Sequence, residues 1–123
     1  MSQRILVAED ETIVAFDLCE TVKEAGFEVQ GPHKGVSSAM LSFQVEKPDL
    51  AILDIGLDDG NAFQLAEKLA EEDVPIIFHS GRYTREEVAK RFPNAKTLLK
   101  PAPPTDVIRA VTDVLQECAA VAD

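Results

Sequence analysis

Short apolar runs alternate along the chain with longer stretches in which apolar residues recur every three or four positions. Ile5-Leu6-Val7-Ala8 is apolar throughout and closes on Glu9-Asp10-Glu11, which predicts a buried strand. A helix is expected next, capped by Thr12 or Asp10 and carrying Val14, Leu18, Val22 and Ala25 on one stripe until Gly26 ends it. Phe27 to Gln30 reads as a second strand, broken by Gly31-Pro32. A helix from Ser37 or Ser38 then runs through Met40, Leu41 and Val45 to a stop near Lys47, before Pro48. Leu50 to Asp54 is a third strand, apolar until its last residue. After a loop from Gly56 to Gly60, a helix from Asn61 to Glu71 presents Ala62, Leu65, Ala66 and Leu69 on one face. Pro75 to Phe78 begins a fourth strand that ends at His79-Ser80-Gly81, and Thr84 to Arg91 gives at most two helical turns before Pro93-Asn94. Thr97 to Leu99 is a fifth strand, ending at Lys100-Pro101. The last helix opens at Pro104 and Thr105 and turns Val107, Ile108, Val111, Val114, Leu115 and Cys118 toward the core.

Strands that alternate with helices must pair in parallel through right-handed crossovers. Their apolar character on both faces calls for helices on both sides of the sheet. The expected fold is therefore α/β: a three-layer, doubly wound, five-stranded parallel sheet with a shortened fourth helix. A length of 123 residues suits one domain, 1–123, and 46% hydrophobic with 28% charged residues is an ordinary globular mix. The net charge of −10 argues against binding nucleic acid or anionic membrane. No apolar run reaches the ~18 residues of a membrane span. The first strand meets Glu9 too early for a signal peptide. Two cysteines, Cys19 and Cys118, suit neither a disulfide framework nor a zinc site, and a reduced, buried pair is expected in a cytoplasmic protein.

Chemistry in an open parallel sheet collects where the strands end. The first strand ends in Glu9 and Asp10, the third in Asp54, the fourth in Ser80 and the fifth in Lys100. If the first and third strands are neighbours, three carboxylates crowd one cleft. Two like charges ~4 Å apart cost on the order of 4 kcal/mol at an effective dielectric near 20. The cluster then needs a proton, a cation or an ammonium. Because every donor is an oxygen, a hard ion such as Mg²⁺ fits, and a carboxylate is left to take a phosphoryl group with Lys100 and Ser80 at its other oxygens. Each residue alone has a plainer role as helix cap, turn or loop charge. Their joint placement, each at a strand end, is what favours chemistry.

By these residues the chain resembles the receiver (response-regulator) domain of two-component signalling over Ile5 to Ala120. The resemblance implies the flavodoxin-like strand order 2-1-3-4-5. It also implies Asp54 as phosphoacceptor, Asp10 as direct Mg²⁺ ligand, Glu9 as a ligand mainly through water, and the Gly56 carbonyl completing the set. Ser80 and Lys100 would contact the phosphoryl oxygens, and the Lys100–Pro101 peptide is usually cis in the family. A histidine kinase or histidine phosphotransfer protein is the implied donor, with Asp54 phosphorylation changing a protein-binding surface. Self-phosphorylation and autodephosphorylation are then the limited catalysis expected. Two rivals remain: an unphosphorylated pseudo-receiver that serves only as an interaction module, and an aspartate-nucleophile phosphatase. The latter resembles a pattern with a second acid two residues after the nucleophile, where this chain has Gly56.

Some positions depart from the family. Three residues before Lys100, where a Tyr or Phe often stands, this chain has Thr97. Phe78-His79-Ser80-Gly81 is similar in part to the Phe-Ala-Thr-Gly-Tyr motif of short stand-alone receivers. His79 alternates away from Ser80 and is expected under a helix, outside the acidic cleft. His33 reads as a loop residue.

Overall fold

The computed structural model describes residues 3–57, 62–81 and 85–122. Asn61 and Thr84, expected to open the third and fourth helices, lie outside the described residues. Five strands and five helices alternate as β1 (Arg4–Ala8), α1 (Thr12–Glu24), β2 (Glu28–His33), α2 (Val36–Val45), β3 (Leu50–Leu53), α3 (Ala62–Glu71), β4 (Ile76–Ser80), α4 (Arg85–Arg91), β5 (Lys96–Leu99) and α5 (Pro104–Ala122). The strands form one parallel sheet in the order β2-β1-β3-β4-β5.

Strand alternation sorts the core into two layers. Leu6, Ala8, Ala51, Leu53, Ile76 and Phe78 face α2, α3 and α4. Ile5, Val7, Leu50, Ile52 and Ile77 face α1 and α5. The register pairs Ala8 with Leu53, Leu53 with Phe78, and Ser80 with Leu99, so four strands reach the same edge of the sheet together. Every polar strand-ending residue therefore arrives at one rim.

Some expectations are corrected. Gly31-Pro32 does not break the second strand, because β2 runs on to His33. β2 is an edge strand, where a proline's missing N–H need not cost a ladder bond. The register slips by one residue between Leu6↔Gln30 and Ala8↔His33, and Gly31 absorbs the slip at φ +131°. His33 is thus a strand residue, its carbonyl accepting the Glu9 N–H at 2.8 Å and its Nδ1 lying 2.6 Å from Ser38 Oγ. Neither Thr12 nor Asp10 caps α1: the cap position is Glu11, without a side-chain cap bond. The Glu11 N–H instead donates to Glu9 Oε2 at 3.1 Å.

In α2 the buried stripe is Val36, Ala39 and Phe43, while Leu41 and Val45 stay 64% and 88% exposed. Cys118 is exposed although Cys19 is buried, and both are free. At ~1.5 Å per residue the 19-residue α5 is longer than the four- and five-residue strands, and Cys118 falls in its last part.

α4 is short, as expected, but it is anchored. Val88 is fully buried, and Phe92 just beyond the helix stacks on Phe63 with centroids 5.7 Å apart and lies 5.4 Å from Phe78. The Arg91 guanidinium covers the Phe63 ring at 4.5 Å and pairs with Glu67 at 3.0 Å.

Candidate functional site

The rim where β1, β3, β4 and β5 end forms an open cleft whose walls include Asp10, Asp54, Gly56, Ser80 and Lys100. Glu9 follows β1 directly and Asp54 follows β3, with the Asp54 N–H donating to the Ala8 carbonyl at 2.8 Å. That backbone bond continues the sheet by one step and holds the two acids side by side. Carboxylate oxygens of Glu9, Asp10 and Asp54 all lie within 4.8 Å of one another. Glu9 and Asp54 are buried and Asp10 is half-buried.

Lys100 enters this cluster from the end of β5, its N–H donating to the Ser80 carbonyl at 3.1 Å. Its Nζ lies 2.8 Å from Glu9 Oε1, 3.2 Å from Asp54 Oδ2 and 3.7 Å from Glu11 Oε1. One ammonium thus serves two enclosed carboxylates. Burial by itself would raise the Glu9 carboxyl, and it is the largest single influence. His79, Lys100, the Glu11 N–H and Asp54 together outweigh it and hold Glu9 down to about 2. Burial would likewise lower Lys100, but Glu9 and Asp54 raise it above its ordinary value, so the ammonium stays charged. The Gly56 N–H donates to Asp54 Oδ1 at 3.1 Å, which fixes that carboxylate and leaves Oδ2 toward Lys100.

Every residue expected at the site reaches it: Glu9, Asp10, Asp54 and Lys100 converge, and Gly56 and Ser80 line the same cleft. The Lys100–Pro101 peptide is cis. Thr97 is buried. The expectation for His79 is corrected. Its ring does lie on the α1/α5 side, opposite Ser80, but Glu9 continues that same side from Ile5 and Val7. His79 Nδ1 therefore stands 3.7 Å from Glu9 Oε1, with both side chains buried. Alternation counted from both strands puts the two side chains on one side of the sheet, and the pairing register brings them level.

The three carboxylates offer oxygens that a divalent cation can use, and the ammonium beside them can meet an anion. The donor set holds no sulfur, and its mutual spacing suits a hard ion. Among the described residues no helix is long and apolar enough to cross a membrane.

The family described as "Response regulator receiver domain" matches residues 5–112. "Transcriptional regulatory protein PdtaR" of Mycobacterium tuberculosis is 28% identical over 112 residues, covering 89% of this chain and 55% of that protein. "Phyllosphere-induced regulator PhyR" of Methylorubrum extorquens is 30% identical over 118 residues, covering 94% of this chain and 44% of that protein. The chain spans about half the length of these curated relatives. Among solved structures, a response regulator receiver protein from Sinorhizobium medicae aligns with a TM-score of 0.84 and 28% identity, covering 94% of this chain and 95% of that one.

Proposed function

Because the chain belongs to the response regulator receiver domain family of two-component signalling, we propose that it is a phosphorylation-dependent switch with Asp54 as phosphoacceptor. One Asp54 oxygen attacks the phosphorus of a phosphohistidine on a histidine kinase or histidine phosphotransfer protein. An O–P bond forms, the N–P bond breaks, and its electron pair returns to the donor's imidazole nitrogen. The observation that carries this reading is the Lys100 ammonium, 3.2 Å from Asp54 Oδ2 and already within the cleft. Lys100 and the Ser80 hydroxyl then contact the phosphoryl oxygens.

The family typically uses Mg²⁺, and the oxygen-only cluster fits it. Asp10 and Asp54 would hold the ion directly, Glu9 mainly through water, and the Gly56 carbonyl would complete the protein's share. Mg²⁺ held there would supply neutralising charge for the phosphoryl oxygens. A receiver is a signalling module rather than an ordinary enzyme, and its own catalysis is confined to gaining and losing this one phosphoryl group. The output is a changed protein-binding surface, and this reading assigns the switch to the cytoplasm.

Intact mass after treatment with a small phosphodonor and Mg²⁺ tests the proposal. A gain of one phosphoryl group is expected in the wild type and none in Asp54→Asn. A gain that persists in Asp54→Asn refutes Asp54 as the acceptor. The other notable acids of this stretch, Asp58 and Asp59, lie outside the described residues.

A further inference from the structure

His79 is fully enclosed at the end of β4, and neither of its ring nitrogens has a hydrogen-bond partner among the described residues. A buried imidazole without partners is costly to keep, since its desolvation is repaid by nothing. A leucine would fill similar space at no such cost. A charged group stands beside it: Glu9 Oε1 lies 3.7 Å from His79 Nδ1, beyond hydrogen-bond length. The same oxygen is held by Lys100 at 2.8 Å.

That sharing has a consequence when the cleft receives a phosphoryl group. Lys100 then serves the new anion as well as Glu9, and the Glu9 oxygen it faces, Oε1, is closed off from solvent, so a second donor at that oxygen gains in worth. A buried carboxylate that loses a partner must find another or oppose the change. Of the basic side chains among the described residues, Lys100 and His79 are the two that come within 4 Å of Glu9 Oε1. A shift of under about 1 Å turns this contact into an N–H···O bond of ordinary length.

We propose that His79 is a positioning residue for the phosphorylated state. With its proton on Nδ1 it donates to Glu9 Oε1, which frees Lys100 to serve the phosphoryl group. The inference rests on Asp54 as acceptor and goes beyond it by assigning a role to a side chain outside the acidic cluster. In the resting structure His79 faces its acceptor at 3.7 Å and already favours the ionised Glu9, and shortening the contact to a full bond adds to the switched state.

Beryllofluoride with Mg²⁺ is the probe, as a non-covalent phosphoryl mimic on the full chain. His79→Leu is expected to weaken beryllofluoride binding about tenfold or more, the effect of one hydrogen bond to a charged group. The same substitution should leave the resting melting temperature nearly unchanged, since the lost contact with Glu9 is offset by the relieved burial of the imidazole. A purely structural histidine predicts the reverse: lower resting stability and unchanged affinity. In ¹H–¹⁵N spectra of the wild type, a protected Nδ1 proton should appear on beryllofluoride addition and be absent from His79→Leu. His33 is the only other histidine in the sequence, so assignment is direct. If His79→Leu binds as tightly as wild type, or the Nδ1 proton does not appear in the wild-type complex, the positioning role is wrong. If the wild type itself does not bind beryllofluoride, Asp54 as acceptor fails and this role falls with it.

Discussion

Glu9 is enclosed yet ionised because four groups converge on it, and that arrangement sets a pH dependence. Its folded pKa of about 2 lies below the ordinary 4.5. The stabilisation from the ionised form is complete above about pH 4.5 and disappears as pH falls through 2. Metal-free protein should therefore lose stability progressively across that window, and Glu9→Gln should flatten the loss; urea midpoints measured from pH 5 to pH 2 check both. Glu9, Asp54 and Lys100 were legible in the sequence because each is the first polar residue after an apolar run, with Asp10 and Ser80 one place further on, and a strand end needs no tertiary information to locate. The His79 contact was not legible in that way. It depends on Glu9 and His79 sharing one side of two different strands, which only the pairing register settles.

At the scale of elements, the alternation of apolar runs and helical stripes specifies the five strands and five helices. It does not specify their ends. β2 continues through Gly31-Pro32 because an edge strand tolerates what an inner strand cannot, and nothing local distinguishes the two. Gly31 is the residue on which that continuation depends. A Cβ there would lie 2.7 Å from the Val7 carbonyl oxygen, at a φ of +131° that side-chain-bearing residues avoid. Gly31→Ala should cost about 1–3 kcal/mol or more, from backbone strain plus the clash with an inner strand. Chemical denaturation reads that loss, and an unchanged midpoint would contradict the close approach. The face of α2 was similarly hidden, since Leu41 and Val45 are as apolar as the residues it buries. The anchoring of α4 was hidden too, because Phe92 falls after the helix and only packing brings it to Phe63 and Phe78.

At the scale of the whole molecule, the net charge of −10 is concentrated in part at one rim. There Glu9, Asp10 and Asp54 face one Lys100, leaving two negative charges unmatched, the charge of one divalent cation. Mg²⁺ should raise the melting temperature, with linkage stabilisation of about 2.7 kcal/mol at a hundred times its dissociation constant. Asp10→Ala should remove most of that gain; a thermal shift series with and without Mg²⁺ decides it, and undiminished stabilisation in the variant would exclude Asp10 as a ligand. The aromatic trio around α4 has a further use. The sequence contains no tryptophan and one tyrosine, so the chain is almost dark under long-wavelength ultraviolet excitation. Phe92 sits nearly enclosed between two rings, with the Arg91 guanidinium 5.9 Å from its centroid. A single indole in its place would be the only bright emitter, shielded while α4 is docked and red-shifted once water reaches it. Phe92→Trp should thus emit at short wavelength at rest, and a red shift on adding beryllofluoride with Mg²⁺ would time the release of α4 in a stopped-flow trace, whereas an unmoved spectrum would mean that the signal leaves the site by another element.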